Sequence, residues 1–233
     1  MRIPGPLLEG RFISRPNRFL AVVELDGREV EAHLPDPGRL EELLLPSTRV
    51  WVRPAASEGR KTRFTLAFLE APTRELVSVV TTLPNELVAE ALHDRQIGEL
   101  AEWDIAAREH RWGGSRFDFL LKRGERRLLL EVKSVTLLDE QGGRALFPDA
   151  VTVRGARHLR ELAEALTAGF ESAVLFVVQR GDAKSVTAAR AIDPNFAAAL
   201  EAAQAAGVLL LAYRSRVSLS EAVITEPIPV RTA

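Results

Sequence analysis

The chain has 233 residues, of which 46 % are hydrophobic and 27 % are charged, and its formal net charge is −1. These values are typical of a globular protein and exclude a disordered or collagen-like chain. The lack of cysteine excludes disulfides, thiol catalysis and cysteine-based zinc sites. Apolar runs fall far short of the roughly 18 residues that span a bilayer, and the first residues lack the apolar segment of a secretory signal. The sequence therefore predicts a cytoplasmic protein.

The first part of the chain has the pattern of short strands separated by turns. Asp26-Gly27 predicts a hairpin turn, and a short helical turn is predicted over Arg39–Leu45. Six short strands indicate a small barrel, for which an oligonucleotide-binding (OB) barrel is favoured and an SH3-like barrel is the alternative. The predicted strands are Leu7–Ser14, Arg18–Leu25, Arg28–His33, Thr48–Val52, Thr62–Leu69 and Leu76–Val80.

After Pro84 the pattern changes to an alternation of helices and strands. Thr152 and Asp193 are the expected caps of the second and third helices. The order α-β-β-β-α-β-α-β predicts an α/β domain with a mixed sheet, so the domains are expected to be 1–82 and 83–233. The predicted elements are Asn85–Asp94, Trp103–His110, Arg116–Leu121, Arg127–Val135, Val153–Ala168, Ser172–Val178, Pro194–Gly207 and Val208–Tyr213.

Two acids lie on neighbouring arms of a predicted hairpin. A two-residue turn at Gly124-Glu125 pairs Asp118 with Glu131 and Arg116 with Lys133, and all four side chains then point to one side of the sheet. Cross-strand Cβ atoms are about 5 Å apart, so two carboxylates in this position repel each other unless a positive charge lies between them.

This arrangement is typical of a site for a hard cation. Mg²⁺ prefers carboxylate oxygens and waters, and it leaves room for a phosphate. Asp118 and Glu131 are the predicted ligands, and Lys133 is the cation that would position a water or a phosphate. Lysine is rare here, since the chain has 31 basic residues of which 4 are Lys. The alternative is a solvent-facing strand pair carrying salt bridges.

Asp followed by Glu-X-Lys on the adjacent strand, within αβββαβ, resembles the PD-(D/E)XK nuclease superfamily. Over essentially its whole length the chain also resembles the sugar fermentation stimulation protein A family. The blocks that carry this resemblance are residues 115–119, 131–137, 147–152, 154–155 and 158–162. The resemblance implies an OB-like barrel followed by a restriction-endonuclease-like domain, DNA as the partner, and a link to the regulation of sugar utilisation. One departure is Asp36, where the family tends to have Asn. Its negative charge disfavours a direct phosphate contact at this position, whereas Gly38 and Arg39 are kept.

Further residues are expected to bind the metal ion or the phosphate. The superfamily often supplies another acid from the preceding helix, which here would be Glu90, and Asp149 would either join the metal ligands or cap the next helix. Arg154 and His158 share a helix face near its start, which suits a phosphate, and Arg116 would assist them. Each of these residues also has a plain interpretation as part of a solvated or structural face.

The barrel is the expected nucleic-acid platform. Cations outnumber acids within residues 1–23 and 49–64, and aromatic residues are interleaved with them. The residues predicted to contact nucleic acid in this domain are Arg15, Arg18, Phe19 and Arg39. Most aromatic side chains of a small barrel belong to its core, so each of them has that alternative.

These observations predict a DNA-binding protein with a Mg²⁺- or Mn²⁺-dependent phosphodiesterase site in its second domain. One alternative is a non-catalytic DNA-binding regulator of sugar metabolism that keeps the nuclease scaffold. A weaker alternative is an RNA-binding module. Single- or double-stranded DNA is the expected partner, no membrane is expected, and a homodimer is left open.

Overall fold

The computed structural model describes residues 1–55, 61–139, 141 and 143–232. The elements of the first part are β1 (Leu8–Asn17), β2 (Leu20–Leu25), β3 (Arg28–His33), β4 (Arg49–Pro54), β5 (Phe64–Glu70) and β6 (Leu76–Ser78). Those of the second part are α1 (Leu83–His93), β7 (Asp104–Trp112), β8 (Ser115–Arg123), β9 (Arg126–Val135), β10 (Leu137–Leu138), β11 (Arg144–Phe147), α2 (Val153–Thr167), β12 (Glu171–Val178), β13 (Ser185–Ala188), α3 (Pro194–Ala206), β14 (Leu209–Val217), β15 (Ala222–Pro227) and β16 (Val230–Arg231).

The N-terminal strands form a closed, OB-like barrel, which confirms this prediction over the SH3-like alternative. The sheet order is β3-β2-β1-β4-β5-β6, and a parallel pairing of β3 with β5 closes it. Alternate side chains of the strands point inward and form the barrel core. The turn predicted over Arg39–Leu45 is a single hydrogen-bonded turn, in which the N–H of Leu44 donates to the carbonyl of Leu40.

The second domain is built on a mixed sheet of order β15-β14-β12-β9-β8-β7. Strands β9, β12 and β14 are parallel and are joined through α2 and α3, whereas β7, β8 and β9 are antiparallel neighbours. Thr152 and Asp193 cap α2 and α3 as predicted, because their side chains accept from the N–H groups of Gly155 and Phe196. One apolar cluster joins α2 and α3 to the sheet, and α1 packs into a different cluster.

A smaller sheet of order β10-β11-β13-β16 was absent from the predicted elements, as was β15. The strands of the smaller sheet have two to four residues each, which is too short for an alternating pattern to be distinct from a loop. Strand β11 leads directly into the segment before α2. The smaller sheet therefore determines where that segment lies.

The barrel and the second domain share one apolar core. Trp51 and Phe68 of the barrel belong to the same buried cluster as Leu87 of α1 and Phe119 of β8. Polar contacts add to this packing, since Thr73 donates to Asp182 over 2.8 Å. Within the described residues, no helix has the length and apolar character needed to cross a membrane.

Candidate metal and phosphate site

The hairpin of β8 and β9 places the two predicted acids as neighbours. Its ladder pairs Phe119 with Leu130 and Leu121 with Leu128, which is the register that the turn at Gly124-Glu125 predicts. Gly124 has φ +59°, a conformation that the tight turn requires and that favours glycine. Asp118 and Glu131 therefore follow at the end of this ladder, where the two strands separate.

Glu131 is buried, and two donors hold one of its carboxylate oxygens. The Nζ of Lys133 and the Nδ1 of His158 both lie 2.6 Å from Oε1. Burial by itself raises the pKa of Glu131, but the ammonium of Lys133 and the hydrogen bond with His158 outweigh it and lower that pKa below its ordinary value. Glu131 is thus held as a carboxylate.

His158 orients this carboxylate. Its ring is almost fully buried, with 1 % of its surface exposed, and its Nε2 lies 3.2 Å from the Nε of Arg154. Because the guanidinium can only donate, Nε2 accepts, and the hydrogen of a neutral ring is on Nδ1, where it is donated to Glu131. The imidazole, for which contact with a phosphate was predicted, therefore contacts Glu131 and Arg154 instead.

Asp118 is held by donors from two elements. Its Oδ1 accepts from the side-chain amide of Asn85 on α1, and its Oδ2 accepts from the backbone N–H of Val132, each over 2.7 Å. Burial, and then the negative charge of Glu131, raise the pKa of Asp118 to about 6. A cation between the two carboxylates would relieve this repulsion.

The donor set fits a divalent cation bound by few protein ligands. The Oε2 of Glu131 is buried and has no hydrogen-bond partner among the described residues, although buried carboxylate oxygens are normally satisfied. Within the described ranges, no three His, Cys, Asp or Glu side chains form a group that could hold a metal ion. Two carboxylates with an orphaned oxygen match Mg²⁺, which commonly takes one or two carboxylates together with waters and phosphate oxygens.

Two further predicted ligands lie elsewhere. Glu90 is on α1, but its carboxylate pairs with the N-terminal ammonium of Met1 over 2.8 Å. Asp149 contacts the barrel at Gly38. A Cβ atom on Gly38 would lie only 1.9 Å from the Oδ2 atom of Asp149. The structure therefore does not bring Glu90 or Asp149 to Asp118 and Glu131, since the first is paired with the chain terminus and the second is part of the interface between the domains.

The predicted phosphate-binding cations differ in what they contact. Arg116 forms an ion pair with Glu109 of β7 over 2.6 Å and lies opposite Arg111 in the β7–β8 ladder. It does not lie beside Lys133 as predicted, because the β8–β9 ladder ends at the pair of Phe119 and Leu130. Arg154 is exposed near the start of α2 and adjoins His158, so it borders the site.

In the barrel, Arg15 is used to hold the chain together. Its guanidinium donates to the backbone carbonyls of Arg39 and Arg18 over 2.6 and 2.8 Å. The side chains of Arg18 and Arg39 are exposed, and half of the surface of Phe19 is exposed as well. The aromatic residues of segments 1–23 and 49–64 are Phe12, Phe19, Trp51 and Phe64. Phe12 and Trp51 are buried and Phe64 is partly buried, so Phe19 is the most available of them for stacking. Part of the cationic segment 49–64, namely residues 56–60, lies outside the described residues.

Asn85 and the contact between His158 and Glu131 belong to the site but were not among the predicted features. Asn85 follows Pro84 in the first turn of α1, and its position at the start of that helix was the available signal. The contact of His158 depends on how α2 packs on β9, and periodicity does not specify that packing.

Comparison with known proteins gives the same architecture. Residues 13–79 match the model of the SfsA N-terminal OB domain, and residues 82–221 match that of the sugar fermentation stimulation protein RE domain. A sugar fermentation stimulation protein homolog of Shouchella clausii is 46 % identical, with 99 % of each chain covered, and one of Syntrophotalea carbinolica is 43 % identical at the same coverage.

A solved structure, that of Pyrococcus furiosus SfsA in complex with Ca²⁺, is 28 % identical. It superposes with a TM-score of 0.89 and covers 99 % of this chain and 98 % of its own. Both family models match in chain order, and the curated relatives match over their full length. The chain therefore belongs to the sugar fermentation stimulation protein family.

Proposed function

We propose that the protein binds DNA and hydrolyses its phosphodiester bonds with a divalent cation at Asp118 and Glu131. The observation that carries this proposal is the unequal use of the two oxygens of Glu131. Two donors occupy Oε1, and the buried Oε2 is left without a partner beside a second carboxylate. A purely structural ion pair would not require an acid that is fixed so firmly and left half unsatisfied.

The identity of the cation is part of the proposal. The solved relative from Pyrococcus furiosus is a Ca²⁺ complex, which supports a divalent ion in this family. Mg²⁺ or Mn²⁺ is proposed for this chain because both accept carboxylate oxygens and leave positions for phosphate. When bound, such an ion would polarise the scissile phosphate and lower the pKa of a coordinated water.

The residues of the chain supply orientation and charge. His158 fixes the rotamer of Glu131, and Asn85 fixes that of Asp118, so neither carboxylate needs to reorganise when a phosphate arrives. Lys133 carries a compact ammonium whose side chain is 11 % exposed. At this position it can stabilise the negative charge that develops on the phosphate oxygens.

A DNA-binding regulator without catalysis is the second candidate. It is favoured by the finding that, across the part of the chain that the structure describes, no third acid joins the two carboxylates. In that case the cation would only help to hold the DNA backbone.

The first prediction separates these candidates by measuring cleavage and binding together. Wild-type protein is incubated with single- and double-stranded DNA and with Mg²⁺ or Mn²⁺, and products are separated by gel electrophoresis. Cleavage is expected, and Glu131→Gln and Lys133→Ala are each expected to lower its rate by about 100-fold or more, because each removes a charge from the reacting centre. Binding, measured by fluorescence anisotropy, should be retained.

Lys122→Ala is the matched control, since Lys122 is an exposed lysine of the same hairpin. It should leave cleavage unchanged. Binding should weaken steeply as salt rises, because phosphate contacts release counterions. Binding without cleavage under either metal would support the regulator, and salt-independent binding would contradict DNA as the partner.

A further inference from the structure

A cleft of about 290 Å³ lies between the two domains, next to the proposed phosphate site. The loop after β3 forms one wall, with Asp36 and Gly38. The end of β9 and the segment from Phe147 to Thr152 form the other. These walls include residues 134–137 of the block 131–137 and the whole of the block 147–152, both of which carried the family resemblance. The proposed phosphodiesterase site does not use these residues.

The position of the cleft connects it to that site. Val135 lines the cleft and is two residues after Lys133 in β9. The two side chains are therefore on the same side of the strand and about 7 Å apart along it. This end of β9 is the carboxyl end of a parallel strand, where open α/β sheets usually bind their ligands. The carboxyl end of β9 therefore joins the position of Lys133 to one wall of the cleft.

The walls combine carboxylates with an apolar surface. Asp36 has one oxygen, Oδ1, accepting from the N–H of Gly38 over 2.8 Å, and no partner of its Oδ2 is found among the described residues. The charge of Asp149 acts on Asp36 and, after burial, contributes to raising the pKa of Asp36 to about 6. Phe147 and Val151 supply the apolar part. Two acids in this position disfavour a phosphate and favour a flat group that donates hydrogen bonds from its edge.

The rim has features that suit a nucleic-acid strand. Arg18 lines the cleft with an exposed guanidinium, and the neighbouring Phe19 has half of its surface exposed. On the opposite side Val151 and Val153 are 67 % and 79 % exposed. A cation beside exposed apolar side chains can hold a backbone phosphate and contact the adjacent base.

From these observations we propose that the cleft binds one unstacked nucleobase with an exocyclic amino group, within the DNA strand whose phosphate lies at Lys133. The inference rests on the proposed function for the position of that phosphate. Carboxylates accept from the amino groups of cytosine or adenine, whereas the carbonyl O4 of thymine would face them unfavourably. Enzymes that act on unstacked bases read them in this way, by edge hydrogen bonds and by contact with their faces. The volume is at the small end for ligand pockets, which suits one base.

The test measures the melting temperature of the whole protein with millimolar nucleotides and no divalent metal, because a ligand that binds the folded state raises it. Deoxycytidine 5′-monophosphate is expected to raise it more than thymidine 5′-monophosphate or 2-deoxyribose 5-phosphate does. Asp36→Asn should reduce the difference between the melting-temperature shifts that the two nucleotides produce. No shift with any of the three, or the same shift with all three, overturns the base site.

Ala150→Leu would fill the cleft and should abolish the shift, whereas Ala205→Leu, at an exposed position of α3, should keep it. Retention of the shift in the filled variant places the nucleotide elsewhere and contradicts the proposal. A short oligothymidylate with one central deoxycytidine should bind more tightly than oligothymidylate alone. Equal binding of the two strands would assign the cleft to free nucleotides and overturn the inference for DNA.

The melting-temperature experiment tests the base site separately from the cleavage experiment, which tests the phosphodiesterase activity. The nucleotide shift is measured without metal and the cleavage with it, so each result stands by itself. A shift of the melting temperature with nucleotide but no DNA cleavage would contradict the phosphodiesterase activity and support the base site. DNA cleavage without such a shift would support the phosphodiesterase activity and contradict the base site.

Discussion

At the scale of residues, the pKa values of the two central acids are shifted in opposite directions. Lys133 and His158 lower the pKa of Glu131 in spite of its burial, whereas burial and the charge of Glu131 raise the pKa of Asp118 to about 6. Neighbouring acids whose pKa values are pushed apart are common at reactive sites. Of the two acids, Glu131 is therefore the one that holds its negative charge more firmly, and Asp118 takes up a proton more readily.

A second acid with a raised pKa, Asp36, allows a test of linkage between pH and stability. Its pKa rises from an ordinary 3.8 to about 6, first because of burial. Between these values the folded protein keeps a proton that the unfolded chain releases, so this group lowers the free energy of unfolding as pH rises from 4 to 6. The D36N variant keeps an acceptor for the N–H of Gly38 and removes the charge. It should become more stable relative to the wild type by about 1 to 3 kcal/mol across that window.

Urea unfolding at several pH values between 4 and 8 measures this difference. The D26N variant, in the exposed turn between β2 and β3, reports the effect of removing one negative charge at the surface. A stability difference between D36N and the wild type that stays constant with pH would show that Asp36 is not the titrating group.

At the scale of elements, the β8–β9 hairpin determines the site. Its two-residue turn sets the register, and the register brings Asp118 next to Glu131. The first turns of α2 then bring Arg154 and His158 to the buried side of β9, with Thr152 capping the helix start. The site is thus assembled from one hairpin and two helices, because Asn85 of α1 also holds Asp118, and an error in the turn would move the acids apart.

The importance of the backbone conformation at the turn can be tested by replacing each of two glycines with alanine. Neither Gly124 nor Gly98 would have any atom within 4 Å of an added Cβ, but Gly124 has φ +59° and Gly98 has no positive φ. Gly124→Ala should therefore lower the free energy of unfolding by about 1 kcal/mol, because alanine is strained in this conformation. Gly98→Ala should have a smaller effect. Equal effects in denaturant melts would mean that backbone conformation at the turn is unimportant.

At the scale of the whole molecule, the barrel and the second domain form a single cooperative unit in their packing. Besides the shared apolar core, the guanidinium of Arg180 is 3 % exposed and bonds to Asp182 and to the carbonyl of Thr136. The same guanidinium also lies 3.4 Å from the hydroxyl of Thr73 in the barrel. An interface of this kind favours concerted unfolding over separate domain melting.

Concerted unfolding can be checked with tryptophan fluorescence. Trp51 is a barrel residue within the apolar core shared by the two domains, and Trp103 and Trp112 lie in the second domain. The fluorescence of the W103F/W112F double variant therefore reports on the barrel side of that core. Its fluorescence transition in urea should coincide with the transition measured by far-UV circular dichroism. A barrel signal that changes at a lower urea concentration would show that the domains unfold independently.

The architecture was largely predictable, because each long element has its own local signal. The caps at Thr152 and Asp193 and the turn at Gly124 are local, and they predicted two helices and one register correctly. Contacts that depend on packing were not predictable. Arg15, for example, was expected to be free for phosphate, but its guanidinium is committed to backbone carbonyls of its own loops.

The most distant part of the chain also contributes to the interdomain cleft. Val230 of β16 pairs with Val186 of β13, and β13 pairs along its length with β11, whose last residue is Phe147. One wall of the interdomain cleft is therefore supported by strand pairing with residues more than eighty positions downstream. Deleting Val230 and Arg231 would remove the pairing with β13 and weaken that support without changing any residue that lines the cleft.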